Sequence, residues 1–162
     1  VADEIASVTL RGVRLIFRNF AGAEGPNNTE GDRNVCVMLT ESEAEFMLKD
    51  GWNVKRLRPD EDGNLGSPFL PVAVRFDIKP PKIVLITSKN RTTLTEEHVN
   101  VLDWLDFSKV DVIVRASDWS RNGRSGRKAY LKTAFLTVAE DELEMEYGSM
   151  DDMPARAGNV EE

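Results

Sequence analysis

The chain is poor in the residues that build catalytic centres and cross-links. Among its 162 residues there is one cysteine, Cys36, and one histidine, His98. A lone cysteine excludes an intramolecular disulfide, and a lone histidine leaves His-based metal sites and Cys–His dyads short of members. Cys36 sits within Val35-Cys36-Val37-Met38-Leu39, which predicts a buried thiol on a strand and fits a reducing compartment. No apolar run approaches the roughly 18 residues that cross a bilayer. The opening Val1-Ala2-Asp3-Glu4 also lacks the basic-then-apolar layout of a signal peptide. The expectation is a soluble, cytoplasmic chain with no membrane partner. Gly123 and Gly126 precede no Gly-Lys-Ser/Thr phosphate loop, so nucleotide binding by that route is disfavoured. The carboxylates show no metal-ligating spacing. The sequence therefore offers no catalytic set, no metal site and no cofactor, and predicts a protein that is not an enzyme.

Charge is unevenly distributed. The net charge is −7, from 21 Lys/Arg against 28 Asp/Glu. Nine of those carboxylates lie after Val138, accompanied by a single cation, Arg156, so residues 1–138 hold 20 bases against 19 acids. The overall acidity thus belongs to the last 24 residues and does not argue against a polyanionic partner for the rest. The expected organisation is one domain over 1–138 and an acidic, flexible tail over 139–162. Such a tail can solubilise, or it can occupy a basic groove as a nucleic-acid mimic and recruit basic partner proteins.

Strand-like patterns dominate the body. Ser7–Phe20 reads as one long strand with a bulge at Gly12, placing Leu15 and Phe17 on the core side and Arg14, Ile16, Arg18 and Phe20 on the other. The Gly/Asn-rich stretch 21–32 reads as a mobile loop before a strand over Arg33–Leu39. Thr40 with Glu43 forms a capping-box signature for a helix over Glu41–Asp50, docked by Phe46 and Met47. Further extended segments are expected at Pro68–Ile78, broken by Pro80-Pro81, and at Lys82–Ser88. A short helical stretch opening at Thr95 should bury Trp104, while Trp52 is open between core and surface. Asp111–Ser120 and Ala129–Val138 form a hairpin across an eight-residue loop, Arg121–Lys128. Together these predict a mainly β fold, an OB-like small β-barrel with one or two short helical insertions and a disordered acidic C-terminal tail.

The hairpin loop is the most informative segment. Arg121, Arg124, Arg127 and Lys128 crowd four cations into eight residues, flanked by Trp119 and Tyr130, with Lys132 beyond. Cations neutralise phosphates while aromatic rings stack on bases of any sequence, so this pairing suits single-stranded nucleic acid. Arg14, Arg18 and Phe20, then Arg75, Lys79, Lys82, Lys89 and Arg91, are expected to extend the same groove.

Several stretches carry a family resemblance: VRLIFRNF (13–20), GDRNVCVML (31–39), DGWNVKRLRP (50–59), PPKIVLITSKNRTTLT (80–95) and DWSRNGRSGRKAYLK (118–132). In this order, with an acidic tail, they resemble phage-encoded single-stranded DNA-binding proteins across about residues 8–147. The resemblance implies a sequence-independent binder of single-stranded DNA in replication and recombination, coating and protecting the strand in the host cytoplasm. It also implies replication or recombination proteins as partners of the tail, and a homodimer is compatible with it. The final Gly-Asn-Val-Glu-Glu departs from the aromatic ending that such tails use for docking. The alternatives are a phage structural or assembly protein with an acidic interaction tail, or a metal-dependent nuclease.

Overall fold

The computed structural model describes residues 6–77 and 79–140. Ile78, placed above on an extended segment, and the acidic stretch 141–162 lie outside the described residues. In chain order the elements are β1 (Ser7–Leu10), β2 (Leu15–Asn19), β3 (Arg33–Met38), α1 (Glu41–Lys49), β4 (Lys55–Arg56), β5 (Pro68–Val74), β6 (Lys82–Ile86) and β7 (Arg91–Leu94). A 3₁₀ turn (Val99–Asp103), β8 (Phe107–Arg121) and β9 (Arg124–Val138) complete the order.

The stretch read as one strand over Ser7–Phe20 is two. Gly12 takes φ 61, a left-handed backbone that only glycine adopts without penalty, and the chain changes partner there. β1 pairs antiparallel with β8 and β2 with β3. Sheet order runs β1-β8-β9-β5-β3-β2, so its two ends are consecutive pieces of one segment. Between them Val13 N–H donates to Val110 O at 2.9 Å, and Met38 N–H donates to Arg14 O at 2.9 Å. The sheet thereby closes on itself as an OB-like barrel. β4 pairs on β5, while β6 lies parallel to β9 and carries β7 as a hairpin.

Strand alternation fills the barrel. Val35 and Val37 of β3, Leu70, Val72 and Val74 of β5, Val110, Val112 and Val114 of β8, and Leu131 and Leu136 of β9 are all buried. Met47 and Trp52, from α1 and the chain just after it, and Val99 and Leu102 of the 3₁₀ turn join the same core. Helix α1 is set by its capping box: Glu43 N–H donates to Thr40 Oγ1 and Thr40 N–H to Glu43 Oε1. It docks through Ala44 and Met47, not through Phe46, which is exposed; Ala44 and Met47, three apart, share the inward stripe that Phe46 misses. Trp104 also departs from expectation and is 70% exposed. The segment winds as a 3₁₀ turn, whose three-residue period puts Val99 and Leu102 inward and turns the Trp at its C-terminal cap away.

The largest difference is the hairpin. Its loop is the dipeptide Asn122-Gly123, with φ 52 and 77, the signature of a type I′ turn, the tight turn that matches strand twist. Arg121 pairs with Arg124 directly across it. The residues read as loop are therefore strand, and the end of the hairpin beyond Ala116 forms a β-arm. The Gly/Asn stretch 21–32 is held internally rather than loose: Asn19 and Asn28 side chains both donate to Ala23 O, and Asn28 donates also to Asp32 O.

Because a Cβ at Gly12 would meet nothing within 4 Å, Gly12→Ala isolates the backbone requirement. We expect denaturant unfolding to report a loss of about 1–2 kcal/mol, with Gly25→Ala, also in open space but without the positive φ, within about 0.5 kcal/mol of the parent. Equal behaviour of the two variants would mean that the partner switch does not depend on the left-handed residue.

Candidate nucleic-acid interface

The inward commitment of Val35, Val37 and Val72 leaves the alternate residues of β3 and β5 on the outer face. Asn34 faces Ala73 and Cys36 faces Pro71 across the two strands, and these four floor a cleft of about 650 Å³. Its walls are Asn28 and Asp32 of the 21–32 loop, Gly51–Asn53, and the β-arm with Trp119 and Ser125–Ala129; Arg33, Arg75, Arg127 and Lys128 line it. Cys36, expected to be buried, is half-buried here, and partial desolvation pushes its thiol pKa up.

Trp119 lies opposite Gly126 in the hairpin. A Cβ at Gly126 would sit 3.1 Å from the indole, so the missing side chain is what lets the ring lie against the strand. The ring stays 46% exposed, in the cleft. Tyr130, on the outer face beside Ala73, has the Arg115 guanidinium 4.8 Å and the Lys128 ammonium 5.3 Å from its ring centroid. These contacts leave Tyr130 fixed against two cations.

The predicted cations divide into tied and untied groups. Arg127 is held between Asp50 and Asp118, at 3.1 Å each, and its backbone N–H donates to Gly51 O. It fastens the arm to the body, and its charge is largely neutralised. Arg75 pairs with Asp77 at 2.6 Å, which raises the guanidinium pKa. Arg121 and Arg124 at the arm tip are exposed, as is Lys128, and no carboxylate holds any of the three among the described residues. Along β9 the cationic line continues with Lys132, at the residue skipped between Leu131 and Thr133 in pairing to β8, and with Lys82, whose ammonium lies 6.0 Å from the Phe135 ring centroid. Lys79 is exposed before β6, and Lys89 and Arg91 sit at the β6–β7 turn. That turn is bound by the first tail-side acid: Ser88 N–H and Oγ–H both donate to Glu140 at 2.9 Å. The Ser88 donors, aided by Lys89, lower the Glu140 pKa.

Three predicted residues fall elsewhere. Phe20 is 1% exposed and belongs to the core, so it presents no face to a ligand. Arg18 donates to Leu102 O and Leu105 O and lies over the Phe107 ring, an internal tie between β2 and the 3₁₀ segment. Arg14 lines a separate cleft of about 350 Å³ with Arg18 and Lys109. For Phe20 the cause is a bulge between Ile16 and Asn19, which shifts the alternation and exchanges Phe17 with Phe20; Arg14 precedes it, at the seam where its carbonyl accepts from Met38 N–H. Sequence reasoning missed Phe17 for that reason. Arg115 was legible, because Val114 and Ala116 turn inward and leave it on the outer face with Tyr130. Arg33 and Asn34 are cleft residues with no distinguishing sequence signal. Among the described residues no three His, Cys, Asp or Glu side chains group as they would around a metal ion, and no helix is long and apolar enough to cross a membrane.

Solved structures share this architecture. The single-stranded DNA-binding protein from bacteriophage Enc34 superposes with a TM-score of 0.54 at 10% identity, over 90% of each chain. The same phage protein in complex with ssDNA gives 0.52 at 10% identity, over 83% of this chain and 88% of that one. At such identity the likeness concerns the fold. No curated protein sequence matches the chain. The sequence does match, across residues 1–162, the family model described as "Putative phage ssDNA-binding domain". The OB-like barrel and its aromatic-walled cleft are accordingly those of a chain that belongs to the phage ssDNA-binding domain family.

Proposed function

We propose that this protein holds single-stranded DNA in the cleft between the β3–β5 outer face and the β-arm, coating the strand during phage replication and recombination without acting on it chemically. The observation that carries the reading is one wall: Trp119 laid open over Gly126, with Tyr130 bracketed by Arg115 and Lys128 on the same hairpin. Rings stack on any base and ammonium or guanidinium groups release counterions from phosphates, so binding is indifferent to sequence and falls with salt. Among the described residues no carboxylate holds Arg121, Arg124, Lys128 or Lys132 along the arm and β9, and Lys79, Lys82, Lys89 and Arg91 extend the basic line; Arg75 and Arg127 shape the cleft more than they charge it. The protein works in the host cytoplasm. The segment 139–162 competes for the cationic line and receives replication or recombination proteins, and the bond of Glu140 to the Ser88 turn roots it beside Lys89 and Arg91. Homodimerisation is compatible with the exposed arm.

Titration of the full chain with a fluorescent mixed-sequence single strand, as DNA and as RNA, at two salt concentrations tests the reading. Tight, salt-weakened DNA binding is the expected result, with the strand intact after magnesium is added. Absence of salt-sensitive binding at micromolar protein, or degradation of the strand, would overturn it.

Replacing Arg121, Arg124 and Lys128 together by Ala should weaken binding and lower the slope of log K against log salt by about 2, at ~0.7 per phosphate released. An unchanged slope would take the arm out of the phosphate path.

Removing 141–162 should leave affinity equal or raise it. If affinity fell while the body kept its unfolding transition, the tail would be a binding element and not a competitor.

A further inference from the structure

Among the described residues Phe17 is the bulky one whose backbone and side chain are both placed against expectation. Its φ is 49, a left-handed conformation that a large L-residue reaches only at an energetic penalty, and its ring is 63% exposed. Regular alternation would have put Phe17 on the inner side with Leu15, whose partner Val37 is fully buried. The bulge after Ile16 turns it outward and gives the core position to Phe20. One contact orients the exposed ring: Phe69, centroid to centroid 5.9 Å at 76°. An edge-on neighbour steadies the ring without covering its face.

Phe69 tells where that face looks. It pairs with Met38 one alternation along from the Cys36–Pro71 pair that floors the cleft, so Phe69, itself only 9% exposed, and the Phe17 ring packed on it lie on that outer side of the sheet. At the other end of that surface stand Ala73 and its neighbour Tyr130. Along β5, Phe69 and Ala73 are four residues apart, about 13 Å at ~3.3 Å per residue. That corresponds to about four stacked nucleotides at ~3.4 Å each. The intervening floor is Pro71 with Cys36, and Lys55 lies across from Phe69.

Resting on the single-stranded DNA reading above, we propose that Phe17 is a base-stacking platform, the far aromatic stop of a strand path that runs along β5 from Tyr130. Bases stack on its open face, and the ring's exposure and the strained backbone that aims it are both features of this site. The path assigns β2 to the interface, where charge alone would have left it out.

The test compares the full chain with Phe17→Ala, Phe17→Gly and Phe17→Tyr in single-strand titrations at several salt concentrations. Glycine accepts the left-handed backbone, so Phe17→Gly removes the ring without that strain, and a denaturant-unfolding transition like the parent's separates weak binding from unfolding. We expect Phe17→Ala and Phe17→Gly to lose about 5- to 100-fold in affinity with the salt slope unchanged, and Phe17→Tyr to stay within about twofold. Parent-like binding by Phe17→Gly, or loss accompanied by a reduced salt slope, would overturn the platform while leaving the cleft reading intact. Failure of the parent chain to bind would overturn both.

Discussion

The exchange of partners at Gly12 is the constraint from which the rest of the molecule follows. A sheet with β1 and β2 on unrelated edges would leave both open to pairing with other chains. Here one covalent segment supplies both edges, first on β8 and then on β3, with Val13 and Arg14 bonding across the seam. Closure fixes which residues point in, and through strict alternation it fixes which point out. The floor of the cleft is the complement of the core: Asn34, Cys36, Pro71 and Ala73 are outside because Val35, Val37, Leu70 and Val72 are inside.

The second constraint acts on the arm. A two-residue turn lets β8 and β9 run on beyond the barrel as a ribbon, and an isolated two-stranded ribbon is only marginally stable in water. Arg127 supplies the fastening, by its ion pairs to Asp50 and Asp118 and by its backbone bond to Gly51. The removed side chain at Gly126 then makes room for Trp119. Rigidity and an exposed ring are thus obtained from adjacent residues. The acids that neutralise Arg127 restrict it to positioning, and Arg121, Arg124 and Lys128 nearby, which no carboxylate holds among the described residues, carry the long-range field.

Much of this was legible beforehand. The capping box at Thr40, the inward stripes of β3 and β5 and the basic, aromatic-flanked hairpin all rest on local patterns, and local patterns survive into the fold. What escaped was whatever depends on a partner. Nothing local says that Gly12 marks a change of neighbour, or that a bulge between Ile16 and Asn19 will exchange Phe17 for Phe20. The Asn122-Gly123 turn was readable, since the dipeptide is a strong hairpin signal. It was masked by the surrounding glycine and serine, which suggested a longer loop. Trp104 departs from the expected burial because the 3₁₀ turn buries Val99 and Leu102 and ends at Trp104 as its C-terminal cap, a choice of face that short helical spacing does not reveal.

The division between tied and untied cations bears on how a near-neutral body engages a polyanion. Counting charge over residues 1–138 gives almost nothing, yet charge counts treat Arg127 and Lys128 alike. An ion-paired guanidinium releases few counterions from a phosphate, because its own carboxylates already screen it, whereas an exposed ammonium on a strand releases them fully. The relevant quantity is therefore where the cations without an acid stand among the described residues, and Arg121, Arg124, Lys128 and Lys132 place four of them on the arm tip and β9, while Asp50 and Asp118 are taken up by Arg127 and Glu140 by Ser88. A body with no net field can in this way present a positive line a few residues wide. Stacking on rings held flat against the sheet complements it, since stacking is short-ranged and does not weaken with salt. Affinity then divides between a screened term that gathers the strand and an unscreened one that retains it, and the two are carried by different residues on neighbouring strands.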